Sequence, residues 1–443
     1  MDNKKLPKVP FYKVVLKTNQ ILSNPLPFHR ENFAKFGDSF MVDLPRKGDV
    51  IFTRDAAFVQ YMLQKNHRNY GKSRLQTEEL AKYLGKGLLT INKEHWLRQR
   101  RLIQPAFHKK KIEGLLDIIN KTIEEQLTNI AVEQEIEAWP LMGDLAFNVV
   151  ARSLFSYYDK DGKIASIKRI TDSNQEMLVK ELRQPFKKWW FHLKGDFKRA
   201  NKNTNEVRSI LEQMIETRRA SETEYDDLLD MLIKAEYEDG GHMSNDQLTD
   251  EILVLFTAGH ETTANALSFA LLLLAKHPDI QERVLAEINA LESGLDHMEK
   301  IKQLPFIKQC LEETMRLYPP AYFTDRINFE ADEFNDLKIR KESEILISFY
   351  EIHRAPEFWD EPEEFNPDRF HPENKKNNSG HYFPFGAGPR LCIGNGFAIY
   401  EMVLVLKAII EKYEISTSLQ SIEIKPMITL KPEQSTLLFK KRD

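Results

Sequence analysis

A single cysteine stands in a glycine-rich stretch near the end of the chain, FGAGPRLCIG at residues 385–394. Cys392 follows Arg390 by two residues, and an apolar helical pattern begins directly after it. A thiolate in such a loop can be an axial metal ligand, because nearby backbone N–H groups can hydrogen-bond the sulfur and tune its electron donation. The glycines would let backbone approach a flat ligand closely, and Arg390 would face a carboxylate of that ligand. A buried cysteine in a turn is the simpler alternative for a lone Cys, but the full combination rarely arises by chance.

A second polar stretch, AGHETT at residues 258–263, stands in the middle of an apolar helical pattern. Polar residues at the centre of a buried helix need hydrogen-bond partners. Gly259 costs on the order of 1 kcal/mol relative to Ala in a helix, and Thr262 can bond back to a carbonyl, which often bends the helix. One interpretation is structural, namely a helix kink whose polar groups are all hydrogen-bonded. The other is functional, namely a local opening of the helix that accepts a reactant.

These two stretches resemble the haem-binding loop and the oxygen-binding helix of the cytochrome P450 superfamily, the haem-thiolate monooxygenases. The resemblance extends from about residue 90 to residue 401. It implies that Cys392 ligates the iron of haem b, iron protoporphyrin IX, and that Glu261 and Thr262 deliver the protons that oxygen activation requires. It also places four further residues against the haem: Ala258, Gly259, Phe385 and Gly394. For His260, which lies beside Glu261, we expect a structural hydrogen bond.

One tryptophan and three arginines match positions that hold haem propionates in this superfamily. Trp96 and Arg100 are four residues apart and share a helix face, so an indole N–H and a guanidinium could both reach a propionate. Packing of the arginine on the indole ring is the alternative for this pair. By resemblance, Arg326 and Arg390 would contribute two more propionate contacts.

A Glu-x-x-Arg pair, Glu313 and Arg316, precedes a double proline at residues 319–320. The later stretch FNPDRF at residues 365–370 resembles the family's arginine-bearing meander. The resemblance implies that Arg369 joins Glu313 and Arg316 in a buried network. We expect this clamp to support the fold and the haem loop rather than the chemistry.

Six Lys and Arg residues and no acid occur between Arg98 and Lys111. Such a run is usually a solvated face, but in this family the segment lies on the thiolate side of the haem, where electron donors dock. We therefore expect an acidic ferredoxin or flavodoxin, with its reductase, as the partner. Bulky aromatics among cations at residues 181–192 are expected to pack between helices, with the lip of a substrate channel as the alternative.

The 443 residues, 42% of them hydrophobic and 29% charged, are sufficient for a large core. A formal net charge of -4 gives no indication of nucleic-acid binding, and two cysteines, Cys310 and Cys392, are typical of a reducing compartment. Cys310 is expected to fill the core. The longest apolar run, residues 267–275, is shorter than the ~20 residues of a membrane span. We predict a cytoplasmic monomer without a membrane anchor.

The elements that must position these residues are mostly helical. A helix starting after Ser244 should run to about Lys276 and be buried, and residues 39–53 should form a β-hairpin. We predict a mainly α fold with small β-sheets near the N-terminus and in the last third. The resemblance makes residues 1–443 one haem domain of the cytochrome P450 fold, with haem between the long helix and the Cys loop.

The resemblance implies a monooxygenase that uses O2 to hydroxylate or oxidatively O-demethylate a small organic substrate. Three alternatives stay open. A peroxide-driven peroxygenase or isomerase would usually lack the pair Glu261 and Thr262. A non-catalytic haem sensor or electron carrier would need no proton delivery. A helical binding protein would hold no haem at all. The substrate could be a fatty acid, a terpenoid or a methylated sugar.

Overall fold

The computed structural model describes residues 5–44, 48–158, 162–374 and 380–442. The fold is mostly helical with small sheets, as the sequence predicts. The α-helices in these ranges are α1 (Phe11–Leu16), α2 (Thr18–Ser23), α3 (Leu26–Phe36), α4 (Ala56–Gln60), α5 (Ala81–Leu84), α6 (Lys93–Ile103), α7 (Lys109–Leu127), α8 (Ala138–Phe155), α9 (Lys163–Arg183), α10 (Lys188–Leu193), α11 (Asp196–Ala220), α12 (Leu228–Lys234), α13 (Asn245–Lys276), α14 (Pro278–Asn289), α15 (His297–Lys302), α16 (Pro305–Leu317), α17 (Phe349–Ile352) and α18 (Asn395–Lys412).

The strands are short and form a six-stranded sheet of order β1-β2-β3-β9-β6-β4, a three-stranded sheet β10-β13-β5 and two hairpins, β7-β8 and β11-β12. Their bounds are β1 (Lys8–Val9), β2 (Ser39–Leu44), β3 (Gly48–Thr53), β4 (Tyr70–Gly71), β5 (Glu135–Glu137), β6 (Phe323–Asn328), β7 (Asp332–Phe334), β8 (Leu337–Ile339), β9 (Glu344–Ser348), β10 (Tyr413–Ser416), β11 (Ile424–Pro426), β12 (Leu430–Pro432) and β13 (Thr436–Lys441).

The predicted hairpin of residues 39–53 is confirmed by the antiparallel pairing of β2 with β3, in which Phe40 faces Phe52. Its predicted turn at residues 45–47 lies outside the described residues. The sequence did not predict that β3 also pairs in parallel with β9, where Ile51 faces Ile345. This pairing joins the N-terminal strands to those of residues 323–348 in one sheet, so the two regions do not form separate sheets.

The long helix α13 forms the centre of the core. The Ser244 side chain accepts a hydrogen bond from the Gln247 N–H at 3.2 Å, which caps the helix start as predicted. The Gln247 side chain donates to the carbonyl of Lys86 and to Glu251, so the reciprocal half of a capping box is not formed. Helices α8, α16 and α18 pack around α13 and bury it.

The aromatic segment between α9 and α11 differs from the expectation of packing between helices. Phe191 is buried as expected, whereas Phe186, Trp189 and Trp190 are exposed. The prediction was wrong for these three side chains because a 3₁₀ turn and the short helix α10 carry only one face inward. Among the described residues, no helix combines the length and apolar character needed to span a bilayer.

Candidate active site

The loop before α18 is held by its own backbone. The Cys392 N–H donates to the Phe385 carbonyl at 3.0 Å, and a 3₁₀ turn covers Gly388–Arg390. Gly388 has φ +70°, and a Cβ there would stand 1.9 Å from the carbonyl oxygen of Leu63. Only glycine fits this close approach without strain. The loop is therefore fixed against the helical turn Tyr61–Lys65.

The Cys392 thiol is accessible, whereas Cys310 is fully buried in α16. The Gly394 N–H hydrogen-bonds the Cys392 sulfur. Although part of its surface is open, protein surrounds the thiol, and this desolvation raises its pKa. The Gly394 N–H and the charge of Arg100 counteract that rise because both favour the thiolate. The site thus carries a thiol with two groups that stabilise its deprotonated form.

One face of α13 is open in an otherwise buried stretch. Between Leu248 and Leu274 the residues that are not buried are Ala258, Gly259 and Thr262. Ala258 and Thr262 are one helical turn apart, and the Thr262 hydroxyl donates to the Ala258 carbonyl at 2.7 Å. A Cβ at Gly259 would contact Val150 at 3.0 Å. The predicted central polar stretch therefore forms a shallow patch of small side chains and backbone.

Glu261 does not lie on this open face. Its carboxylate is buried and hydrogen-bonds Gln175 of α9 and Thr429. Burial raises its pKa, and His260, Gln175 and Thr429 partly offset the rise. His260 is also buried, and its Nδ1 bonds the Phe256 carbonyl at 2.8 Å, which is the structural hydrogen bond that was expected. The structure thus brings Thr262 to the opening and turns Glu261 away from it.

Arg390 and Trp96 meet as a stacked pair. The Arg390 guanidinium lies 4.5 Å from the centre of the Trp96 ring, and its Nη2 donates to Asn92 at 3.1 Å. Its buried Nη1 has no hydrogen-bond partner in the part of the chain that the structure describes. Burial and the nearby charge of Arg326 lower the pKa of Arg390 to about 10. The guanidinium therefore retains an unused donor.

Arg326 is buried on β6, where its Nη1 donates to Thr324 at 3.0 Å and to the Asp325 carbonyl at 2.7 Å. Desolvation lowers its pKa. Arg100 lies elsewhere, because its Nη1 donates to the Leu391 carbonyl at 3.1 Å and its charge acts on Cys392. The structure thus brings Trp96, Arg326 and Arg390 together, while Arg100 sits beside the Cys loop.

Lys72 is a site residue that sequence reasoning missed. Its buried Nζ donates to the carbonyls of Leu88 and Leu89 at 2.6 and 2.7 Å. Its pKa lies well below the usual value, mainly through burial and then through the charges of Arg390 and Arg326. The residue before it, Gly71, pairs with Ile327, next to Arg326. No local signal identifies Lys72, because its place depends on the pairing of strands far apart in sequence.

Lys72, Arg326 and Arg390 form what we call the buried cation cluster. Bringing cations together out of water is unfavourable unless anions offset them. Asp325 attracts Lys72 and Arg326, but it also accepts hydrogen bonds from Ser73 and Gln76. The unused Nη1 of Arg390 indicates that a further anion belongs here. Haem b fits this site, since it carries two carboxylates and an iron that accepts a thiolate.

The clamp residues meet in the core beside the loop. Arg316 donates to both oxygens of Glu313, at 2.6 and 2.9 Å, and to the carbonyls of His353, Pro362 and Glu364. Arg369 donates to Glu313 at 3.3 Å. Glu313 and Arg316 are fully buried, so each neutralises a charge that would otherwise be stranded.

The basic run on α6 and α7 is partly neutralised by acids of the chain. Arg98 binds Asp239 at 2.7 Å, Arg101 binds Glu238 at 2.6 Å, and Lys111 binds Asp226 at 2.6 Å. Lys109 lies 3.8 Å from Glu113 within α7. All these pairs are largely exposed, so each is weak and readily exchanged. The sequence run overstates the positive charge that this face presents.

Three comparisons relate the chain to known proteins. The family model described as Cytochrome P450 matches residues 5–439. Cyclooctatin synthase of Streptomyces melanosporofaciens is 30% identical over 399 residues, 87% of each chain. Echinocystic acid 23-monooxygenase of Saponaria officinalis is 31% identical over 400 residues, 83% of this chain and 76% of its own. A retinoic acid-bound cyanobacterial structure, CYP120A1, superimposes with a TM-score of 0.86 at 25% identity and covers both chains fully.

Proposed function

The chain belongs to the cytochrome P450 family and is a monooxygenase, and on that premise we propose that it inserts one atom of O2 into a small organic substrate with haem b as cofactor. The choice of cofactor rests on the buried cation cluster. Its member Arg390 has an unused donor and lies in the same loop as the accessible Cys392 thiol. We keep the prediction that residues 1–443 act as one haem domain.

When bound, haem b supplies the iron at which O2 is reduced and activated. We propose that the Cys392 thiolate would bind its iron, with the Gly394 N–H and Arg100 favouring the deprotonated sulfur. Lys72, Arg326 and Arg390 would bind the propionates, and Trp96 would hold Arg390 in its stacked position. Arg100 would contribute a propionate contact through its Nη2, since its Nη1 donates to the Leu391 carbonyl and its Nε to Gln104. Phe385 would border the haem beside these residues.

We propose that Thr262 and Glu261 divide the handling of protons. The Thr262 hydroxyl lies at the open patch with Ala258 and Gly259, where it can hold a water or a reactant by hydrogen bonding. Glu261 is buried and its raised pKa favours a stored proton. A side-chain rotation that breaks the bonds to Gln175 and Thr429 would carry that proton toward the open face.

The proposed substrate is a largely apolar small molecule. A small cavity next to α13 is lined by Leu80, Tyr83, Leu178, Val207 and Leu253, with amide and hydroxyl groups from α9 among them. Its volume of about 10 Å³ holds little more than one water molecule, so this lining does not select a substrate class, and the fatty acid or terpenoid expected from the sequence is kept as the proposed substrate. Hydroxylation is the proposed reaction, and oxidative O-demethylation would use the same site. The relatives include echinocystic acid 23-monooxygenase and a cytokinin hydroxylase of Arabidopsis thaliana.

We propose that electrons come from an acidic ferredoxin or flavodoxin, with its reductase, to a monomeric enzyme in the cytoplasm. Charge reversal of Lys109, Lys110 and Lys111 should slow reduction at low salt, but only several-fold, because two of the three already pair with acids. Reversing the exposed Lys180, Lys202 and Lys338 instead is the matched control, since these lie on α9, α11 and β8 and not on α6, α7 or the Cys loop. Unchanged reduction by an acidic donor would contradict this docking face.

The decisive test uses the two cysteines as a matched pair. Cys392→Ala should abolish the thiolate-type Soret band of the reduced carbonyl complex, while Cys310→Ala should retain it. The wild type should convert a substrate with O2 and reductant, and a panel of fatty acids and terpenoids screened by Soret shift should reveal ligands. Retention of the band in Cys392→Ala would refute the ligand assignment. Turnover with peroxide but none with O2 and reductant would favour the peroxygenase alternative.

A further inference from the structure

An acidic stretch joins α11 to α13. Residues 222–239, which we call the acidic segment, contain eight Asp and Glu and one Lys. The segment is anchored to the body of the protein, because all three leucines of α12 are buried. The turn at its end is closed by a hydrogen bond from the Tyr237 N–H to the Gly241 carbonyl at 2.6 Å. The segment therefore keeps a defined path over the surface.

Three of its acids pair with three of the six cations in the basic run of residues 98–111: Asp226 with Lys111, Glu238 with Arg101 and Asp239 with Arg98. The side chains of these acids are 65–88% exposed and those of the cations 46–60% exposed. Water thus reaches every pair, and each contributes little to stability. Exchanging the carboxylate at any of these cations for another carboxylate therefore costs little.

The paired cations stand beside the Cys loop. On α6, the Arg100 Nη1 donates to the Leu391 carbonyl at 3.1 Å. In the turn between α6 and α7, Phe107 is close enough that a Cβ at Gly394 would lie 3.8 Å from its ring. An electron donor that docks on α6 and α7 would therefore meet the elements that contact the Cys loop directly.

We propose that the acidic segment is a built-in competitor for the electron donor. Its carboxylates occupy Arg98, Arg101 and Lys111 in the free enzyme, and acidic groups of the donor replace them on docking. Acids fixed beside the cations repel a donor that approaches in the wrong orientation, whereas a donor whose carboxylates meet all three cations exchanges equivalent ion pairs. The competition slows association and sharpens the choice of partner. This inference rests on the proposed acidic donor and adds a role for acids of the chain itself.

The test is the rate at which a reduced, acidic [2Fe–2S] ferredoxin transfers its electron to the holoenzyme under carbon monoxide, followed by stopped flow in the Soret region. The triple variant Asp226→Asn, Glu238→Gln and Asp239→Asn should raise the second-order rate constant about fivefold at low salt, because three cations become free to attract the donor. The difference from the wild type should disappear at about 0.5 M NaCl.

The matched control neutralises three exposed acids that pair with cations outside α6 and α7: Asp144→Asn, Glu282→Gln and Glu330→Gln. Its net charge changes by the same amount, so an effect of overall charge would appear equally in both triple variants. Photoreduced deazariboflavin, which is uncharged, provides the reference rate of reduction for each variant. The reduced carbonyl spectrum shows whether the haem and the fold are intact.

Competition has a distinct signature in combined variants. Lys111→Gln should slow reduction about twofold in the wild type, where Asp226 already occupies this cation. In the Asp226→Asn background the same change should slow reduction about fivefold, because Lys111 is then free to meet the donor. An ion pair that only supports the fold would give the reverse order, since removing its second member adds little once the first is gone.

A rate that stays the same or falls when the three acids are neutralised would overturn the proposal, because the acids would then be indifferent to the donor or would bind its cations. An equal effect of Lys111→Gln in both backgrounds would overturn it too. If the carbonyl band is present but the acidic ferredoxin reduces neither the wild type nor the triple variant, the proposed donor is wrong as well. Absence of that band in the wild type would instead refute the proposed haem site.

Discussion

Replacing Arg390 with methionine should weaken the retention of haem while removing repulsion from the buried cation cluster. The Arg390 Nη1 has no partner among the described residues, so a haem carboxylate would gain a charge-assisted hydrogen bond there. Such a bond contributes about 1.5–3 kcal/mol, which corresponds to roughly 10- to 150-fold in the dissociation constant of haem. Methionine preserves much of the volume over the Trp96 ring but supplies neither charge nor donor.

The assay is transfer of haem from the holoenzyme to an excess of apomyoglobin, followed in the Soret region. Arg390→Met should transfer haem at least tenfold faster than the wild type. Arg390→Lys should show a smaller increase, because the charge remains but the planar fork is lost. The matched control is Arg101→Met on α6, whose guanidinium is exposed and paired with Glu238. Equal transfer rates for Arg390→Met and the wild type would refute the assignment of the cluster to the propionates.

Three further changes test other parts of the site. Glu313→Ala should lower the free energy of unfolding by ~3–5 kcal/mol in urea, because it strands the buried Arg316; a loss below about 1 kcal/mol would contradict a structural clamp. Burial raises the pKa of Glu251 to about 7 from 4.5, so the folded chain keeps a proton that the unfolded carboxyl releases. The free energy of unfolding should therefore fall as pH rises from 4.5 to 7, by at most about 3 kcal/mol. Glu251→Gln keeps an acceptor for the Leu88 N–H but does not titrate. Urea melts of this variant at several pH values should show a flatter dependence of stability on pH. Thr262→Ala should keep haem and substrate binding but divert reducing equivalents to peroxide; full coupling of NAD(P)H consumption to product would show that its hydroxyl is dispensable.

The pattern of the sequence alone predicts features whose cause is local. Ser244 caps α13 because its side chain reaches an N–H three residues later, and Thr262 bonds a carbonyl one turn earlier. The hairpin of β2 and β3 follows from alternating apolar residues on either side of a turn. The Cys loop is likewise closed by contacts within ten residues, including the bond from the Cys392 N–H to the Phe385 carbonyl.

Tertiary structure alone decides which distant side chains share a site. Lys72 joins Arg326 because β4 pairs with β6, more than 250 residues away, and no local pattern encodes that pairing. Glu261 turns from Thr262 toward Gln175 and Thr429 because adjacent helical residues point about 100° apart and α9 lies on that side. Arg98 presents less positive charge to a partner protein than the sequence suggests, because it forms an ion pair with Asp239.

The same distinction explains the aromatic segment. Periodicity gives the apolar face of an element, but it does not show whether a neighbour covers that face. Phe191 packs against Phe197 and is buried, whereas Trp189 and Trp190 contact each other, with Lys194 over the Trp190 ring, and both stay exposed. The sequence therefore determined the chemistry of this protein through short motifs, and packing determined which of its charges and rings remain available to ligands and partners.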